Sequence, residues 1–233
     1  MPSPDERPHD LVTLVRARAR THASKWAFQF SDRTIRYDEF DRETDRFAAG
    51  LRRAGIHRGG RVATLLFNTP DFLLLWFALA KIRAVLVPLN TGLKGEILRY
   101  ELDDSRPTGL VVDRRLWPVY SEVRSRVPIP HEWWTGPEDG SEPPTEVAAW
   151  TSLAGEPTAA PPAETPDPWE PAAILYTSGT TGPPKGAIIP HEKMLTTSWE
   201  IGQRSRLDAH SVLFTALPLF HCNAQEMTTL TSM

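Results

Sequence analysis

The chain has 233 residues, 40% of them apolar, and its 26 Lys and Arg against 29 Asp and Glu give a formal net charge of -3. That size supports a real core in one or two domains, and the near-neutral balance gives no electrostatic reason to expect a nucleic-acid partner. A single cysteine, Cys222, excludes an internal disulfide framework and any multi-cysteine metal site, so no metal ligands are assigned.

No apolar run approaches the roughly 18 residues that cross a bilayer. The start, Met1-Pro2-Ser3-Pro4-Asp5-Glu6, is acidic and turn-like, unlike a secretory leader. These features predict a soluble cytoplasmic protein. Residues 9–21 place Leu11, Leu14 and Val15 at helical spacing, followed by Arg16, Arg18 and Arg20. The arginines suit a solvated helix C-terminus better than a basic binding patch.

Residues 26–30 and 34–37 alternate about Ser31-Asp32-Arg33, which is a hairpin signal. An amphipathic helix follows, with Phe40, Thr44, Phe47, Ala48 and Leu51 on one face and Gly55 as its stop. Arg36 stands where a capping hydroxyl would serve, leaving Asp38 as its substitute.

Residues 62–67 predict a buried strand. Thr69-Pro70-Asp71 then reads as a helix start, with the Thr69 hydroxyl as cap and proline in the first turn. The helix over 70–81 is apolar all round and should be buried between layers. Residues 84–89 form the next strand, so strand, helix and strand suggest a parallel crossover. Arg83 ends the helix, where a left-handed residue would cost about 1 kcal/mol.

Residues 94–104 read as a helix and 110–112 as a short strand. Residues 114–126 predict a helix interrupted at Pro118. Trp133 and Trp134 invite a carbohydrate platform, but core packing is the better reading of the pair. Residues 136–145 form an acidic, proline-containing surface loop. Residues 155–171 hold six prolines, a stiff connector expected to cross between two subdomains of one catalytic domain. Residues 191–206 predict a helix with Leu195, Trp199 and Ile201 partly inward. Residues 212–217 predict a strand ending in Pro218-Leu219-Phe220-His221-Cys222-Asn223, with a further helix after it.

The chemistry concentrates in Ile174-Leu175-Tyr176-Thr177-Ser178-Gly179-Thr180-Thr181-Gly182-Pro183-Pro184-Lys185-Gly186-Ala187-Ile188-Ile189. The apolar flanks, 172–176 and 186–189, read as two buried strands. Between them, Gly179 and Gly182 let successive amides face one concavity. Thr177, Ser178, Thr180 and Thr181 add short donors, and Lys185 adds a compact cation. Such a loop suits a polyphosphate. A bare Gly-x-x-Gly turn would be an ordinary hairpin, and the spacing is not that of the Gly-x-x-x-x-Gly-Lys-Ser/Thr nucleotide loop.

The whole run, Thr-Ser-Gly-Thr-Thr-Gly-x-Pro-Lys-Gly, resembles the phosphate-binding signature of the adenylate-forming superfamily. That group includes acyl-CoA synthetases, aryl-CoA ligases, firefly luciferase and peptide-synthetase adenylation domains. Residues 85–90 and 96–105 are similar to the superfamily as well, so the resemblance runs from about Leu11 onward. Pro218-Leu219-Phe220-His221 matches the next signature. A lone histidine is more often a hydrogen-bonded core residue, but this motif implies a pocket role. Cys222 has no neighbour in sequence that would activate its thiol, and is expected to line a pocket or be buried.

The resemblance implies an α/β fold of layered parallel and mixed β-sheets with flanking helices. It also implies a two-step reaction, in which a carboxylate attacks the α-phosphorus of ATP and a thiol, usually that of coenzyme A, then displaces AMP. Thr177, Ser178, Gly179, Thr180, Thr181 and Gly182 would hold the phosphates, with Mg²⁺ as the expected counter-ion. Lys185 would follow the leaving pyrophosphate, and His221 would line the acyl side, where Phe220, Asn223 and Ala224 shape the pocket. Asn90-Thr-Gly-Leu-Lys-Gly-Glu96 and Pro218-Leu-Phe-His-Cys-Asn223 look most like acyl-CoA synthetases, among them carnitine-CoA ligases.

A full family member is considerably longer. Its Tyr-Gly-x-Thr-Glu adenine wall, ribose-binding Asp, hinge and small C-terminal domain with a catalytic lysine have no counterpart here. Residues 1–233 are therefore expected to form the N-terminal part of an AMP-binding domain, an acyl-CoA ligase fragment that adenylates poorly alone. The alternative is a non-catalytic fragment that binds a nucleotide or a partner.

Overall fold

The computed structural model describes residues 7–31, 33–136, 144, 146–154, 164–177, 182–208 and 210–233. Its frame is a seven-stranded sheet of order β7-β6-β5-β3-β4-β8-β9 beside a two-stranded hairpin, β1-β2. The hairpin pairs Trp26–Gln29 (β1) with Thr34–Arg36 (β2), as the alternation predicts.

In the large sheet, β3 (Arg61–Leu65), β4 (Val85–Pro88), β5 (Gly109–Asp113), β6 (His131–Thr135), β7 (Ala148–Ala149) and β8 (Pro171–Thr177) run parallel. Only β9 (Lys185–Pro190) is antiparallel, paired with β8 at one edge. This is the mixed α/β architecture expected from the sequence.

Strand residues alternate between two cores. Val62, Leu86, Val111, Ala173 and Leu175 face a layer built from α1 (Leu11–Thr21), α2 (Tyr37–Arg53) and α3 (Pro70–Lys81). Ala63, Val87, Leu110 and Val112 face α4 (Gly95–Ser105) and α5 (Trp117–Arg124), with Ile174 and Tyr176 packed against the same core. Period two along each strand fills both faces, which is why these strands read as nearly continuous apolar runs.

Helix α3 is buried at every position from Phe72 to Lys81, as its all-apolar surface requires. Phe77 meets Phe40 of α2 edge to face at 5.0 Å. The amphipathic face of α2 is buried as expected, and Gly55 adopts φ +93° just beyond the helix. Arg36 makes no cap at the start of α2, and Asp38, already inside the first turn, accepts from the Glu39 amide at 2.8 Å. Trp133 and Trp134 are both buried, so the pair serves the core.

Lys81 was not anticipated as a polar centre. Its ammonium is buried, 2.5 Å from the Asp41 carboxylate and 2.8 Å from that of Asp45. A buried cation is tolerable only when it is paired and hydrogen-bonded in this way. Arg83 keeps the left-handed conformation, φ +58°. Its guanidinium offsets part of that strain by pairing with Glu170 and with Glu164 at 3.0 Å. The Arg83 bonds to Glu170, with a further one from Arg58, hold the Glu170 carboxyl below its usual range.

Five expectations need correction. Thr69 does not cap α3, and its buried hydroxyl has no partner among the described residues. Pro118 does not interrupt a helix. A short 3-10 turn over Arg114–Leu116 comes first and the proline then sits in the first turn of α5, where its absent N–H costs nothing. Residues 212–217 form no strand and pair with none of the described strands, and Val212, Phe214 and Leu217 stand exposed. Strand β9 is largely exposed rather than buried, being the sheet edge. Cys222 is exposed, not buried. The prolines of residues 155–163, most of the connector, lie outside the described residues, as does most of the acidic loop.

Candidate functional site

The parallel strands put their carboxyl ends on one edge of the sheet, where open α/β sheets bind ligands. Strand β8 delivers Thr177 to that edge, and Lys185 opens β9 directly across from it. The hairpin therefore closes seven residues, 178–184, between one paired mouth. Ser178, Gly179, Thr180 and Thr181 lie outside the described residues. Thr177, Gly182 and Lys185 are exposed, and a Cβ placed on Gly182 would meet nothing within 4 Å. Lys185 makes no ion pair with a described residue. At the mouth, the Thr177 hydroxyl donates to the Lys185 carbonyl at 3.5 Å, a long contact.

The second motif reaches the same edge by a different route. Asn68 follows the carboxyl end of β3, and its amide brackets the segment before His221. The Asn68 Nδ2 donates to the Leu217 carbonyl at 2.8 Å, while its Oδ1 accepts from the Leu219 amide at 2.8 Å. Gln225 Nε2 then donates to the Leu219 carbonyl at 2.7 Å, and the His221 amide donates to Pro218 O at 3.0 Å. The turn so formed leads into a π-helical segment over Asn223–Leu230.

Because β3 and β8 are parallel members of one sheet, both signatures lie at its carboxyl edge. The His221 ring is exposed, 4.6 Å from the ring of Phe220. A cavity of about 450 Å³ lies near α1, and one of about 660 Å³ lies between the β1-β2 hairpin and the second motif, lined by Asn68 and Leu219; neither is lined by Lys185 or His221.

Beneath the hairpin mouth sits a polar cluster that the sequence did not announce. The Tyr176 hydroxyl donates to Asp104 Oδ2 at 2.6 Å, joining β8 to α4. Burial first, then the Asp104 hydrogen bond and charge, push the Tyr176 phenol above its usual range. One turn earlier on α4, Glu101 is buried, its Oε2 has no partner among the described residues, and burial pushes its carboxyl up to about 7. Asp104 and Tyr176 are 72 residues apart, so no local pattern could have linked them. Asn68 carried no signal in the sequence, and its partners Leu217 and Leu219 lie about 150 residues away.

Among the described residues, no group of three or more His, Cys, Asp or Glu is gathered to hold a metal ion. Hydroxyls, amides and one ammonium suit anionic oxygens, and they do not by themselves form a Mg²⁺ site. No described helix is long and apolar enough to cross a membrane.

Residues 15–233 match the family model described as AMP-binding enzyme. The chain is 33% identical over 198 residues to the crotonobetaine/carnitine–CoA ligase of Salmonella paratyphi A, covering 83% of this chain and 38% of that protein. Among solved structures, the apo structure of MbtA from Mycobacterium smegmatis superposes with a TM-score of 0.82 at 30% identity, covering 99% of this chain and 45% of that one. ATP-bound MatB from Rhodopseudomonas palustris gives 0.76 at 26% identity, with 97% and 44% covered. The chain thus spans under half the length of these relatives. With the loop signature and the sheet that carries it, these matches show that the chain belongs to the AMP-binding, adenylate-forming family, of which it represents the N-terminal part.

Proposed function

We propose that the chain is the phosphate-binding, N-terminal part of an ATP-dependent acyl-CoA ligase, activating a carboxylate as its acyl-adenylate for transfer to coenzyme A. One observation carries the reading. The family's longest signature spans a hairpin at the carboxyl edge of a parallel sheet, with Lys185 exposed at its mouth. The similarity to a crotonobetaine/carnitine–CoA ligase and to ATP-bound MatB supports the ligase class and the nucleotide.

On this reading, Thr177, Ser178, Gly179, Thr180, Thr181 and Gly182 hold the β- and γ-phosphates through amides and hydroxyls. The Lys185 ammonium offsets the charge that builds on pyrophosphate as the carboxylate attacks the α-phosphorus. His221 flanks the acyl side, on the turn that Asn68 holds. Mg²⁺, when it accompanies ATP, supplies further charge neutralisation, while positioning of the tail falls to the chain's own groups. Residues 155–171 connect the two parts of this catalytic domain. The reaction implies the cytoplasm, where ATP and coenzyme A are available.

Calorimetric titration with ATP and with AMP tests the reading, together with hydroxamate trapping in a chimera that supplies the remaining length of a carnitine–CoA ligase relative. The chain should bind ATP more tightly than AMP, and the chimera should trap an acyl hydroxamate. In that chimera Lys185→Ala should slow adenylate formation more than the thioester step. Equal loss in both half-reactions would refute the assigned role.

A further inference from the structure

We propose that Tyr176 and Asp104 form a positioning pair that fixes the mouth of the phosphate-binding hairpin against α4 and so sets its affinity for a triphosphate. This rests on the function just proposed. On the β4 side the backbone ladder stops short of the mouth. Strand β8 is in register with β4 through Leu86 and Ala173, four residues before Thr177, and its other neighbour β9 is the exposed sheet edge. Side chains must supply the rest of the restraint.

Tyr176 is placed to do so. The alternation along β8 turns it toward the α4 side, while Leu175 enters the opposite core. Its register partner across the hairpin is Gly186. A Cβ on Gly186 would lie 2.8 Å from Ile174 Cγ2 and 3.3 Å from Tyr176 Cζ. The phenol therefore lies across β9 as well as β8, and glycine is the residue that leaves it room.

At the far end of the ring, Asp104 accepts the hydroxyl at 2.6 Å, a charge-assisted bond. Asp104 is exposed, and its place is set by the helix backbone. It sits in the last turn of α4, where Ser105 Oγ donates to the Glu101 carbonyl at 2.6 Å and Arg106 ends the helix at φ +44°. The phenol, whose pKa burial and Asp104 raise further, is a donor across the neutral range. One residue separates this anchor from Ser178, so its loss is felt first by the groups that meet the phosphates.

The test is titration of the chain with ATP and AMP for Tyr176→Phe, Asp104→Ala, the double variant and Asp104→Asn. A charge-assisted bond of this kind predicts about a tenfold loss of ATP affinity in Tyr176→Phe. AMP affinity and melting temperature should stay near the parent values. The double variant should be no worse than either single, and Asp104→Asn, which keeps a neutral carbonyl acceptor, should lose less than Asp104→Ala. Unchanged ATP binding in Tyr176→Phe, or equal loss of ATP and AMP, would overturn the anchor.

Should the parent chain bind no nucleotide, the functional reading fails instead, and hydrogen exchange still decides the anchor. Segment 177–186 should exchange several-fold faster in Tyr176→Phe while 85–88 is unchanged. Equal exchange in the two proteins would refute the restraint.

Discussion

The β3-α3-β4 unit and the β8-β9 hairpin belong to one sheet, yet they are built on opposite terms. In the first, nearly every side chain is buried, and the packing of α3 on α2 leaves little polar chemistry beyond the Lys81 pairs. In the second, β9 stands exposed at the edge, and the residues that matter are hydroxyls, glycines and a lysine. Stability resides in one unit and chemistry in the other. Substitutions in the first should therefore lower melting without altering ligand preference, and those in the second the reverse.

The largest effect should come from the buried unit. Phe77→Ala removes a ring that is fully buried against Phe40, and should cost about 3–5 kcal/mol in urea unfolding. An intermediate effect should appear on the boundary between the two, at Glu101. Its folded-state pKa, about 7, lies above the unfolded value, so the folded form prefers the proton. The stability this confers is present below about pH 4.3 and is lost as the pH rises through 7. Glu101→Gln should therefore stabilise the chain at pH 8 by about 1–2 kcal/mol and hardly at all at pH 4. A difference of the same size at both pH values would break the argument.

The smallest effect belongs to the edge. Ile188 is 63% exposed on β9, and Ile188→Thr should change stability by less than about 0.5 kcal/mol. A cost comparable to that of Phe77→Ala would mean that β9 is buried against something in solution.

The same contrast decides what could be read without coordinates. Period and apolarity located β3, β4, α2 and α3 because burial is what those residues do. The hairpin around residues 178–184 was legible through its long signature alone, since short polar loops carry no period. Residues 212–217 misled for the converse reason: a short apolar run holding Val212, Leu213, Phe214 and Leu217 looks like a strand, but strand formation needs a partner that sequence does not reveal. The Thr69 hydroxyl failed as a cap although its type and position were right, since side-chain geometry decides the bond. Asp104 and Asn68 were invisible because each acts on a segment distant in sequence.

The central claim, that residues 177–185 hold the tail of a nucleoside triphosphate, is tested most directly by phosphorus NMR. ATP would be titrated with the chain and with its Lys185→Ala variant. The account predicts that the β- and γ-phosphorus resonances shift and broaden more than the α resonance with the parent chain, and that the variant weakens this effect about tenfold or more. Resonances that move equally in both proteins, or an α-phosphorus that responds most, would contradict it.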